Sequence, residues 1–238
     1  MIATGLVVLS LLGQGGGLVP SESTFVPATP RDSALEFKLG GYKPMIDSAP
    51  GMGANGPYNA TFGSGAMLLG ELEYDRQLWQ ELGSVAVGFS LGYAEKYGAA
   101  SLADGSAAAE RTALKVVPLK IMAVYRFDYA ATKWNIPLVP YVKAGLAYTP
   151  WWITKGGNIE YVDGLRGAGG NWGYAAVLGL SLQLDFLDQR LARDFDSDMG
   201  VNHSYLFGEY VYQDVNSFGT AGPDLSSRHF MFGLTLEF

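Results

Sequence analysis

From residue 34 to the end, segments recur in which apolar residues, most of them large, alternate with small or polar ones. A period of two is the mark of a β-strand with one apolar face. The last nine residues show it best. Phe230, Phe232, Leu234, Leu236 and Phe238 alternate with Met231, Gly233, Thr235 and Glu237. Seven earlier segments repeat it. Their apolar stripes are Leu35, Phe37, Leu39; then Leu68, Gly70, Leu72, Tyr74; then Val85, Val87, Phe89, Leu91, Tyr93. Next come Leu119, Ile121, Ala123, Tyr125, Phe127; then Val142, Ala144, Leu146, Tyr148; then Tyr174, Ala176, Leu178, Leu180, Leu182. Segment 202–213 is the least regular, with Leu206, Tyr210 and Tyr212 on one face and His203, Glu209 and Gln213 on the other.

A soluble sandwich or barrel also alternates, so the composition of the two faces decides between environments. In water the polar face is dense in charge. Here it is Gly, Ala, Ser and Thr with scattered Glu, Lys and Arg, and Tyr gathers near the strand ends of the apolar face. Lipid outside and a packed polar interior account for both faces. The expected fold is therefore all-β: an eight-stranded antiparallel transmembrane β-barrel. Long links at 43–65, 98–110, 155–170 and 214–226 alternate with links at 76–83, 129–137 and 186–201, as outer loops alternate with inner turns. Within the last of these, Leu187, Leu191 and Phe195 are spaced as one helical stripe. A short helix over 186–195, lying at the inner side, follows.

Composition sharpens the picture at the N-terminus and narrows the chemistry. Residues 1–17 carry the apolar run Leu6, Val7, Val8, Leu9, Ser10, Leu11, Leu12, of a length that suits an export signal and is too short to span a bilayer as a helix. No positive charge precedes it, and the alternative is a buried apolar segment. Residues 18–33 read as an extended linker and 34–238 as the barrel. No cysteine is present among the 238 residues, which excludes disulfides and thiolate chemistry. A net charge of −7 with 16 Lys and Arg gives no basic surface for nucleic acid. The 32 glycines suit a chain of strands and turns.

The stretches Leu184-Asp185-Phe186-Leu187-Asp188 and Gly200-Val201-Asn202-His203-Ser204-Tyr205-Leu206-Phe207-Gly208-Glu209 resemble a group of outer-membrane β-barrel proteins found in myxobacteria and related bacteria. The likeness covers the layout from about residue 34 to 238 and is sharp only in this block. It implies a bacterial outer-membrane location and a small barrel, and it implies no activity and no functional residues. The terminal Phe238, with Leu236, Leu234, Phe232 and Phe230 before it, also looks like the sorting signal read by the barrel-assembly machinery. That machinery and outer-membrane lipid are the expected partners.

Nine charged residues have inward parity: Glu36, Lys38, Glu71, Glu73, Lys120, Arg126, Lys143, Glu209 and Glu237. An eight-stranded barrel has room only for side chains, so these charges are expected to pair into a filled lumen. A narrow ion path is the alternative. Trp79, Trp134, Trp151, Trp152 and Trp172 fall near strand ends and read as interfacial anchors, with carbohydrate binding by the Trp151–Trp152 pair as a second reading. His203 beside Ser204, and His229 near Asp224 and Ser226, raise a lipid-modifying hydrolase. Neighbours on a strand face opposite ways, however, which separates His203 from Ser204. The glycine runs lack the strand–loop–helix setting of a phosphate loop, and no metal-ligand spacing is evident. The expectation is a protein without catalytic, cofactor or metal residues, acting in anchoring, interaction or envelope integrity through its outer loops or the 186–195 helix.

Overall fold

In the computed structural model, which describes residues 32–48, 56–101, 107–134, 136–162, 164–185, 200–220 and 222–238, the alternating segments form one antiparallel sheet that closes on itself. Its strands are β1 (Ser33–Tyr42), β2 (Met67–Gln80), β3 (Ser84–Ser101), β4 (Ala107–Val116), β5 (Leu119–Arg126) and β6 (Leu138–Lys155). Three two-residue strands follow in a loop: β7 (Asn158–Ile159), β8 (Tyr161–Val162) and β9 (Leu165–Arg166). β10 (Ala168–Gln183), β11 (His203–Asp214) and β12 (Ser227–Glu237) complete the wall. β4 and β5 both lie between β3 and β6, so they are two parts of one wall strand. The ring therefore has eight strands.

Closure is made where β12 pairs with β1, from Ala34 opposite Glu237 to Gly40 opposite Met231. Phe238 finishes the seam: its carbonyl accepts from Asp32 N–H (2.7 Å) and Ser33 N–H (3.1 Å), and its N–H donates to Ser33 O (2.8 Å). A closed ring leaves no unpaired strand edge. The wall strand β4/β5 breaks at Val117-Pro118 because proline has no N–H to give the ladder. The ladder is carried across the break by Val117 N–H to Pro150 O (3.0 Å) and Gly92 N–H to Pro118 O (2.7 Å).

All eight sequence stripes face outward. Phe37, Leu72, Phe89, Ile121, Leu146, Leu178, Leu206 and Phe232 are all exposed, Phe232 by 65 % and Leu178 by 63 %. In water each such side chain forgoes roughly 1.5–3 kcal/mol of burial, and a whole ring of them is at rest only against hydrocarbon. The alternate positions are buried and hold the charged residues. Polarity thus runs opposite to that of a soluble barrel.

The two ends differ. At the end where β1 begins and β12 ends, the terminal end, the β2–β3 connection is a tight turn in which Gly83 has φ +123°, and a short helix α2 (Tyr129–Trp134) follows β5. At the other end, the loop end, the β1–β2 connection holds a 3-10 turn (Ile46–Ser48) and a helix α1 (Pro57–Phe62). The Asp47 carboxylate accepts from the first free N–H groups of α1, Tyr58 (2.8 Å) and Asn59 (2.9 Å), and so ties turn to helix. Helix α1 folds inward over the mouth. Tyr58, Tyr42, Met67, Leu69, Leu114, Val116 and Leu225 form the apolar cluster there. Residues 186–195 lie outside the described residues, as do 1–31, so neither the inner-side helix nor the export segment is located.

Candidate functional site in the barrel interior

The chemistry-bearing side chains gather in the half of the interior nearer the termini. Strand parity puts them there: Glu36 and Lys38 on β1, Glu71, Glu73 and Asp75 on β2, Lys120 and Arg126 on β5, Lys143 on β6, Glu209 on β11, Glu237 on β12. Lys38 is at the centre. Its Nζ lies 2.5 Å from Glu73, 3.2 Å from Glu209, 3.3 Å from Glu36 and 3.6 Å from Glu71. Lys143 bridges Glu36 (2.6 Å) and Glu73 (2.5 Å). Lys120 holds Glu71 at 2.7 Å, and Arg126 holds Glu36 together with Asp75, the latter at 2.7 Å. Tyr141 donates to Glu209 (2.9 Å). Among the described residues Glu237 stands outside the ion pairs and accepts from Gln77 (2.5 Å) and Tyr205 (3.1 Å).

The arrangement answers a solvation problem. Taking a carboxylate or ammonium out of water costs several kcal/mol unless an opposite charge and further hydrogen bonds replace the lost water. Each cation here therefore contacts one or more carboxylates, and Lys38 contacts four. Among the described residues, six buried carboxylates (Glu36, Glu71, Glu73, Asp75, Glu209, Glu237) face four buried cations (Lys38, Lys120, Arg126, Lys143). Oxygens of Glu36, Glu73 and Asp75 come within 4.8 Å of one another, close enough to ligate one ion. Lys143 and Arg126 already bond those carboxylates, so ammonium and guanidinium groups stand where a metal would.

Three members of this interior lie beyond the sequence expectation: Asp75, Gln77 and Tyr205. Tyr141, beside the outward Val142, takes the inward parity that stripe implies. Asp75 shares the parity of Glu71 and Glu73, but residues 76–83 read as a link and the apolar stripe of the sequence ends at Tyr74. In the structure β2 runs on to Gln80.

The aromatic residues divide. Trp79, Trp134 and Trp172 are exposed, and Trp172 packs on Tyr148 with ring centres 4.6 Å apart. Trp152 is half-buried with outward parity. Trp151 turns into the mouth, where its indole N–H donates to Asn171 (3.0 Å) and the ring joins the apolar cluster. Adjacent residues of one strand cannot anchor to the same lipid surface, so Trp151 is corrected from interfacial anchor to part of the apolar cluster at the mouth. On β12, Phe230 and Phe232 are exposed, while Leu234, Leu236 and Phe238 are half-buried along the seam.

Neither histidine forms a triad among the described residues. His203 meets Asp185 at the terminal end, where Asp185 also accepts from Gln183 (2.9 Å) and from the backbone N–H of Ser204 (3.2 Å). Partial burial pushes the Asp185 carboxyl up, but the hydrogen bonds from His203 and Gln183 outweigh it and hold the group below its usual range. His229 partners Ser227 (Nδ1 to Oγ, 3.1 Å) and not Asp224 or Ser226. The pair is buried inside the barrel, against the edge of Tyr42.

No protein-family model matches the chain, and no curated protein matches it in sequence. Among solved structures, the fold is similar to Neisserial surface protein A, with 12 % identity over 89 % of this chain and 99 % of that one at a TM-score of 0.45. It is similar to the outer membrane protein OprG of Pseudomonas aeruginosa, with 11 % identity over 89 % and 98 % of the two chains and a TM-score of 0.48. A third likeness is to Ail, the attachment invasion locus protein of Yersinia pestis, with 11 % identity over 88 % and 100 % at a TM-score of 0.41.

Proposed function

We propose that this chain is a bacterial outer-membrane barrel whose lumen is closed by paired charges, and that it performs no reaction and acts by anchoring or by contacts of its outer loops. The observation that carries this reading is Lys38, fully buried and bound on several sides by Glu36, Glu71, Glu73 and Glu209. A side chain held this way blocks the axis of a barrel that has room only for side chains. The exposed apolar belt supports the membrane setting. The stripe ending at Phe238 supports recognition by the barrel-assembly machinery. The likeness of 184–188 and 200–209 to myxobacterial-type barrels belongs to the same reading and rests on those residues alone.

The absence of a reaction is supported by the histidines. Ser204 offers Asp185 a backbone N–H, and the Ser227–His229 pair is walled off from lipid. A second reading is kept by the excess of carboxylates over cations inside, which favours cations over anions if the lumen conducts. Reconstitution into planar bilayers tests the first against the second. The expected result is no discrete conductance steps. Steady, cation-selective steps in the purified protein, enlarged by Lys38→Ala, would replace the closed lumen with a pore.

A further inference from the structure

Between α1 and the wall at the loop end is a cavity of about 320 Å³. Its walls are apolar: Phe62 of α1, Leu114 of β4, Trp151 and Ile153 of β6, and Leu225 from the β11–β12 loop. It lies above the charge layer and is distinct from it. An apolar cavity of about 150 Å³ takes a benzene ring, so this one has room for a molecule of about two rings. Its size falls at the lower end of natural small-molecule sites, of about 300–1,000 Å³.

One feature points to a ligand. Thr112 lines the cavity, is 4 % exposed, and its hydroxyl has no hydrogen-bond partner. A buried hydroxyl without a partner costs free energy, and valine of nearly the same shape would avoid that cost. The hydroxyl can donate or accept a hydrogen bond with a group that enters. The single charged residue among the described lining is Glu160, and no cation lines the cavity. An anionic molecule is therefore disfavoured. We infer that the barrel mouth is a binding site for a compact, uncharged apolar molecule of one to two rings that carries one hydrogen-bonding group, with the Thr112 hydroxyl as its partner. This goes beyond the closed lumen and does not depend on it, because a conducting barrel could hold the same mouth site.

The probe is 5-fluoroindole, two fused rings with one N–H, followed by fluorine NMR against the full chain folded in detergent micelles, with empty micelles as the partition baseline. A saturable shift is expected with the wild-type chain. Ile153→Trp, which fills the cavity, should abolish it, and Leu114→Phe serves if that variant lacks the heat-modifiable band of a folded barrel. Thr112→Val should weaken binding about threefold to tenfold while leaving thermal stability equal or higher. The acid analogue, 5-fluoroindole-3-acetate, should show no saturable shift. The inference is overturned if the wild-type chain gives only micelle partitioning, if a folded cavity-filled variant binds as before, if Thr112→Val binds as tightly as the wild type, or if the acid binds as well as the neutral ring.

Discussion

At the scale of single residues, the interior depends on each buried cation having a carboxylate within reach. Lys143→Met leaves Glu36 and Glu73 short of one shared partner, and breaking a buried pair costs ~3–5 kcal/mol. Unfolding by urea in lipid vesicles should show a loss of that order. Adding Glu73→Gln to Lys143→Met should recover part of it by removing the stranded charge, whereas Phe232→Ala on the lipid face should cost less than Lys143→Met. Asp185 gives a pH-dependent case. Its carboxyl is held below the usual range, so the stability it adds is fully present above the unfolded value of about 3.9 and is lost as pH falls through the lower folded value. Below about pH 4 the difference in unfolding midpoint between the wild-type chain and Asp185→Asn should therefore shrink as the pH falls. A difference that grows over that acidic range would contradict the assigned hydrogen bonds.

At the scale of elements, alternation made the strands legible wherever lipid lies against them, because there every outward position must be apolar. Beyond the lipid that demand ends and the signal fades. β3 continues through Gly98 to Ser101 and β4 begins at Ala107, stretches of small residues that read as an outer link although the backbone is still strand. The same blindness hid Asp75 and turned Trp151 the wrong way. Helix α1 left little trace, being six residues with only Pro57 at its start to mark it. What places it is contact. A Cβ on Gly98 would come within 2.0 Å of the Thr61 carbonyl, so β3 and the end of α1 touch with no side chain between them. Gly98→Leu should push α1 out of the mouth and leave the wall intact. Limited proteolysis should then cut the β1–β2 loop faster, while the folded barrel keeps its heat-modifiable mobility in SDS gels. Unchanged cleavage would show that α1 is not held by this contact.

For the whole molecule, the proposed closed lumen sets lipid outside the barrel against a charge-filled, water-excluding interior. The two environments are coupled, since closing the sheet puts one face of every strand in each. The absence of native cysteine allows both to be read on one strand. Single cysteines at Phe230, Met231, Phe232, Leu234 and Thr235 of β12, spin-labelled in the unfolded chain before it is folded into lipid vesicles, report collisions with lipid-soluble oxygen and with a water-soluble nickel chelate. Alternation is expected: labels at 230, 232 and 234 collide with oxygen, and the inward labels at 231 and 235 collide with neither reagent. Nickel access at the outward positions would contradict the membrane setting, and nickel access at the inward positions would contradict the closed lumen.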